Sequence, residues 1–140
     1  MNILLDTNIF LGACIGQGSA NRLVMHCLQG DLVPLMGAAL LAEYEDVLAR
    51  ETLFTKARLN RAEREELLDI FLAHCQWTRI YYAWRPNLRD EGDNHVMELA
   101  VAGNARYLVT YNLRDFKAME LKFPEIRICS PEQFFAEVKI

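Results

Sequence analysis

Residues Asn2–Leu5 form a short apolar run that ends on Asp6-Thr7-Asn8. Such a run suits a buried strand stopped by a turn or a helix cap. Ser19 then opens a helical stretch to about Leu28, closed by Gly30, and Leu32–Met36 reads as a second strand. Pro34 places that strand at an edge or a bulge, because proline cannot donate to a sheet ladder. From Ala38 to about Glu51, Leu40, Leu41, Tyr44, Val47 and Leu48 fall on one continuous helical stripe. Asn60 followed by Glu63 is a helix start signal, and Leu67, Leu68, Phe71, Leu72 and Cys75 continue the buried face of that helix. Trp77–Tyr82 is β-prone and Asn87–Gly92 reads as a loop. A helix is expected from Asp93 through Val96, Met97, Ala100 and Val101, ending near Gly103-Asn104. Tyr107–Thr110 and Ile126–Cys129 read as strands, and Pro131–Val138 as a last helix capped by Ser130. Strands alternating with helices predict an α/β domain with a mainly parallel sheet.

Length and composition narrow this picture without redirecting it. At 140 residues, 52% of them hydrophobic, the chain has the size of one domain with a sizeable core. No repeat, low-complexity tract or linker divides it, so one domain over residues 1–140 is expected. Fifteen Lys and Arg against nineteen Asp and Glu leave a net charge of −4, which argues against a protein that coats nucleic acid by charge alone. A nuclease stays open, because a bound divalent cation reverses the local sign where phosphate sits. Cys14, Cys27, Cys75 and Cys129 form no Cys-x-x-Cys pair. The longest apolar stretch, Met36–Ala42, falls far short of the ~18 residues of a membrane span. A soluble cytoplasmic protein with reduced core cysteines and no membrane partner is therefore expected.

The acidic residues carry the chemistry. In a parallel sheet, ligands bind beyond the carboxyl ends of the strands. Asp6 follows the first strand, Asn112 and Asp115 follow the Tyr107–Thr110 strand, and Asp93 heads a helix leading back into it. Carboxylates brought that close repel unless protonated or neutralised by a cation. Hard oxygen ligands suit Mg²⁺ or Mn²⁺, the ions of metal-assisted phosphodiester hydrolysis. Each acid also has a plainer role: Asp6, Asp93 and Asp115 all stand where helix caps stand. Glu43 and Glu45 lie on opposite flanks of the apolar stripe, and periodicity does not choose between them. His95 reads as a helix-surface residue or a substrate contact. Arg79, Arg85 and Arg89 interleave with Trp77, Tyr81, Tyr82 and Trp84, a pattern of a sheet edge plus loop or of a track for single-stranded RNA. No Walker-type or dinucleotide glycine loop is present, and neither serine nor cysteine has a base at a signature distance.

Five segments in order carry a resemblance. They are Ile3-Leu4-Leu5-Asp6-Thr7-Asn8, then Leu41-Ala42-Glu43-Tyr44-Glu45-Asp46-Val47-Leu48, then Arg89-Asp90-Glu91-Gly92-Asp93-Asn94 leading into Glu98-Leu99-Ala100. Tyr107-Leu108-Val109-Thr110-Tyr111-Asn112-Leu113-Arg114-Asp115-Phe116 and Ile128-Cys129-Ser130-Pro131-Glu132-Gln133-Phe134-Phe135 complete the series. Together they resemble the PIN-domain family, and within it the VapC-like toxin components of prokaryotic toxin–antitoxin pairs. The resemblance implies a three-layer α/β/α sandwich and a metal-dependent ribonuclease using Mg²⁺ or Mn²⁺. It implies Asp6, Glu43, Asp93 and Asp115 as catalytic metal ligands, choosing Glu43 over Glu45. It places Asn112, Thr110 and Asp90 as substrate contacts or supports behind the ligands. Asn112 departs from the pattern, since many members carry Asp there. The partners implied are RNA, a cognate antitoxin and a second copy of the chain. In the mechanism implied, Asp6, Glu43 and Asp93 position the cation, and Asp115 with Asn112 orients the attacking water or a weaker second metal. The rival reading is a PIN-fold protein or RNA interaction module with little or no catalysis. An aspartyl-phosphate enzyme is a distant third, because Asp6-Thr7-Asn8 lacks a second aspartate two residues on.

Overall fold

The computed structural model describes residues 1–79, 91–117 and 122–140, with the side chains of 91–94 left outside the description. Five strands pair into one sheet: β1 (Asn2–Leu5), β2 (Val33–Met36), β3 (Gln76–Trp77), β4 (Tyr107–Val109) and β5 (Arg127–Cys129). Every pairing is parallel, in the order β3-β2-β1-β4-β5. Among the described residues seven α-helices flank it: α1 (Thr7–Ile15), α2 (Gly18–Gln29), α3 (Ala38–Leu48), α4 (Arg61–His74), α5 (Glu91–Ala102), α6 (Leu113–Phe116) and α7 (Pro131–Glu137). This is the expected α/β/α sandwich. Ile3, Leu4 and Leu5 of the central strand and Leu108 and Val109 of its neighbour are buried, as strands covered on both faces must be.

Local chemistry accounts for most element ends. Asn60 and Glu63 form a reciprocal capping box at the start of α4, and Ser130 and Gln133 form another at α7. Gly30 closes α2 with a positive φ of 88°, a conformation glycine adopts without steric cost. Beyond α5, Asn104 takes φ 56° while Gly103 and Ala105 donate back to the carbonyls of Leu99 and Ala100, satisfying the end of the helix.

Against the β-prone stretch expected over Trp77–Tyr82, β3 takes Gln76 and Trp77 and leaves Thr78 and Arg79 outside any strand, positions 80–82 lying outside the described residues. The structure departs from the pattern reading in four further places. First, α1 is a nine-residue helix with Thr7, Ile9, Phe10, Gly12, Ala13 and Cys14 all buried; apolar nearly all round, it shows no stripe for periodicity to find. Second, α3 ends at Leu48, and Glu51–Phe54 forms a separate 3-10 turn. Third, Pro34 lies in an inner strand: it pairs with Ile3, and β3 engages only Leu35 and Met36. The two-residue β3 leaves Pro34 without a ladder partner on its other side, so its missing N–H costs nothing. Fourth, α5 begins at Glu91, so Asp93 stands inside the first turn and is no N-cap. The expected loop over Asn87–Gly92 lies outside the described residues up to position 90.

Tyr44 ties the core to the sheet. Its ring lies 5.4 Å from that of Phe10 and 6.2 Å from that of Phe71, joining α1, α3 and α4. Its buried hydroxyl donates to the Leu5 carbonyl at 2.6 Å. The helix that carries Glu43 is thereby pinned to the last residue of β1.

Candidate metal centre

The strand order reverses beside β1: the chain runs from β1 out to β2 and β3, then returns to place β4 on the other side. Open parallel sheets bind ligands at such a switch point, beyond the carboxyl ends of the strands. Asp6 is the first residue past β1, and Thr110 the first past β4. The ladder runs on into the site, where the Asp6 amide donates to Val109 O at 3.0 Å.

Asp6 is 5% exposed, yet both carboxylate oxygens have donors. Oδ1 accepts the Thr7 amide at 2.8 Å. Oδ2 accepts the Thr110 hydroxyl at 2.8 Å and the Asn8 amide side chain at 3.4 Å. Asp6 is also the N-cap of α1, where the helix dipole favours negative charge. Capping and a ligand role are compatible here, because a carboxylate oxygen accepts more than one bond. Burial nonetheless pushes the Asp6 carboxyl above its ordinary pKa; the Thr110 and Thr7 hydrogen bonds pull the other way, and the Glu43 charge adds to the rise.

Glu43 faces the site from α3 while Glu45 is exposed, so the structure brings one of the two candidates to Asp6. Glu43 Oε1 accepts the Thr7 hydroxyl at 2.9 Å, and Oε2 accepts His95 Nε2 at 2.8 Å. The His95 hydrogen bond holds the Glu43 carboxyl below its ordinary pKa against partial burial. Thr7 thus bridges the acids, its backbone serving Asp6 and its hydroxyl Glu43.

On the β4 side, Thr110 Oγ1 accepts the Asn112 amide at 2.9 Å, and Asn112 Nδ2 donates to Asp115 Oδ2 at 2.7 Å. Asn112 therefore supports Asp115 as a neutral partner. Asp93 is placed by its backbone in the first turn of α5, its side chain outside the description, and Asp90 lies outside the described residues.

Three contacts escaped the sequence reading. Thr7 and Asn8 were visible only as parts of a motif; Asn8 accepts the Tyr111 amide at 3.1 Å and so ties the two strand ends together. His95 is half-buried against Glu43 and not on the helix surface. Its signal was the four-residue spacing to buried Leu99, which puts both on one face of α5. Trp77 is exposed and Arg79 follows β3, while the remaining basic and aromatic residues of that stretch lie outside the described residues.

The arrangement suits some chemistries and not others. Burial pushes the thiols of Cys14 up to about 11 and of Cys27 and Cys75 up to about 12, so none is a ready nucleophile at neutral pH. Among the described residues no group of three or more His, Cys, Asp or Glu side chains is gathered to hold an ion. The described donors still fit a hard divalent cation. Two carboxylates share one threonine, and the more buried one is repelled by the other, a conflict a cation between them relieves.

No curated protein matches the chain. Among solved structures, a chain in the crystal structure of VapBC2 from Rickettsia felis bound to a DNA fragment from their promoter shares the fold. The TM-score is 0.56 and the identity 22%, covering 91% of this chain and 97% of that one. A family model described as PIN domain matches residues 2–114, most of the chain and all of the described site up to Asn112. With its parallel sheet and its acids at the switch point, the chain belongs to the PIN domain family.

Proposed function

We propose that this chain is a Mg²⁺- or Mn²⁺-dependent endoribonuclease, the toxin of a cytoplasmic toxin–antitoxin pair. The observation that supports this best is Asp6: an almost fully buried carboxylate at the switch point, held by Thr7 and Thr110 and facing Glu43. Asp6, Glu43 and Asp93 would hold the cation, with Asp115 as the remaining carboxylate. When bound, such an ion acidifies a water and neutralises charge on the scissile phosphate. The residues do the rest. Thr7 and Thr110 orient Asp6, and Asp115, held by Asn112, accepts a hydrogen bond from the attacking water. In-line attack forms a bond from water oxygen to phosphorus and breaks the bond to O3′, leaving 5′-phosphate and 3′-hydroxyl ends. The similar fold occurs in VapBC2 from Rickettsia felis bound to a DNA fragment from their promoter, which supports an antitoxin partner for this chain; a second copy of the chain is the other partner proposed.

Asn112 favours a second reading, an interaction module with little catalysis, because a neutral amide takes the place of an acid beside Asp115. The test is cleavage of a mixed single-stranded RNA by purified protein with Mn²⁺ or Mg²⁺, beside EDTA and folded Asp6→Asn and Asp93→Asn variants. Cutting that needs the metal and disappears in both variants is expected. Cutting by a folded Asp6→Asn protein at the wild-type rate overturns the assignment of Asp6. No cutting, with no Mn²⁺ bound by calorimetry, makes the interaction module the better account.

A further inference from the structure

We propose that His95 is a positioning residue that fixes the Glu43 carboxylate for cation binding. The inference rests on the metal reading of the site and adds a residue to it. Glu43 sits on α3 at the end of a flexible side chain, and a free carboxylate there would sample several rotamers. Two donors from two other helices remove that freedom. Thr7, the first residue of α1, takes Oε1 at 2.9 Å, and His95, in the second turn of α5, takes Oε2 at 2.8 Å. Each oxygen keeps acceptor capacity for a cation.

His95 is well placed for this duty. The residues that follow it, Val96, Met97, Leu99 and Ala100, are buried, so the second turn of α5 is anchored in the core. Leu99, one turn on, packs close to Gly37 at the head of α3. The imidazole therefore reaches Glu43 from a fixed base, and a site built on packed helices holds its geometry better than one built on loops. Hydrogen bonds behind a metal ligand are commonly worth about tenfold to a hundredfold in metal affinity.

The experiment measures Mn²⁺ affinity, by calorimetry or by the EPR signal of free Mn²⁺, in wild type, His95→Phe and His95→Gln, with thermal melts to show that each is folded. Phenylalanine keeps a ring and removes the donor; glutamine removes the ring and keeps a donor near the position of Nε2. The expected result is affinity about tenfold to a hundredfold weaker in His95→Phe and near wild type in His95→Gln. Wild-type affinity in His95→Phe overturns the inference and leaves the metal site standing. Weak binding in a folded His95→Gln overturns it too, since the donor would then not be what matters. A wild-type protein that binds no Mn²⁺ overturns the metal reading itself, and this inference falls with it.

Discussion

The hydroxyl of Thr110 donates to Asp6 Oδ2 at 2.8 Å, joining two residues 104 positions apart at the ends of adjacent strands. Thr110 is fully buried, so that hydrogen bond has no water to replace it. Replacing Thr110 by Val keeps the shape and leaves Asp6 short of its best side-chain donor. The expected cost is about 1–3 kcal/mol in urea unfolding, the range for stranding a buried polar group. Thr110→Ser, which restores the hydroxyl, should recover most of it.

The pH dependence of the metal-free protein follows from Asp6. Its folded pKa lies above the unfolded one, chiefly through burial, so the native state holds the proton more tightly. Stability contributed by this group is full below the unfolded pKa and is lost as pH rises through the folded value. Glu43, lowered chiefly by the His95 hydrogen bond, works in the opposite sense: its contribution is present above its unfolded pKa and lost as pH falls through the folded one. Because the two oppose each other, the difference between wild type and Asp6→Asn is the useful readout. That difference should move in favour of the variant as pH rises from about 4, and Mn²⁺ should reverse it. A pH-independent difference in denaturation midpoints contradicts the account.

Tyr44→Phe isolates the link between α3 and the sheet. Its hydroxyl serves the Leu5 carbonyl, one residue before Asp6. Losing it should cost about 1–3 kcal/mol by leaving that buried carbonyl short of a partner. The variant should still bind Mn²⁺, because Thr7 keeps Asp6 and Glu43 in register, and equilibrium unfolding beside Mn²⁺ calorimetry separates the two effects.

Glu43→Gln and Glu45→Gln each remove one charge, from opposite flanks of the apolar stripe of α3, which makes them a matched pair. Glu43→Gln should lose Mn²⁺ binding by more than the roughly hundredfold expected of an outer partner. Glu45→Gln, at an exposed position, should bind and cleave as wild type does. Equal losses in RNA cleavage from both would remove Glu43 from its assigned role.

How much of this was legible in the sequence depends on what kind of signal each part leaves. The strands β1, β2, β4 and β5 left short apolar runs, and the caps at Asn60 and Ser130 left residue types at fixed offsets, so these stand close to where the pattern put them. The exposed two-residue β3 at Gln76–Trp77 left no such run. The α1 helix left no stripe because it is buried nearly all round. Glu43 and Glu45 were a tie on the helical wheel, and resemblance broke it; only the bonds to Thr7 and His95 show why in this chain. His95 and Thr110 act across 52 and 104 residues of sequence, and no local window contains both ends of such a contact.

The central position of β1 has a consequence for the order in which the molecule is made. The strand leaves the ribosome before the other four, yet one of its flanks stays open until β4 arrives about a hundred residues later. Until then Asp6 lacks the Thr110 hydroxyl, and an unpaired apolar edge is exposed to any passing strand. A chain halted before Tyr107 therefore holds the carboxylates Asp6 and Glu43 without the wall that orders them. The proposed nuclease site therefore stays incomplete in the growing polypeptide until its second half has been synthesised.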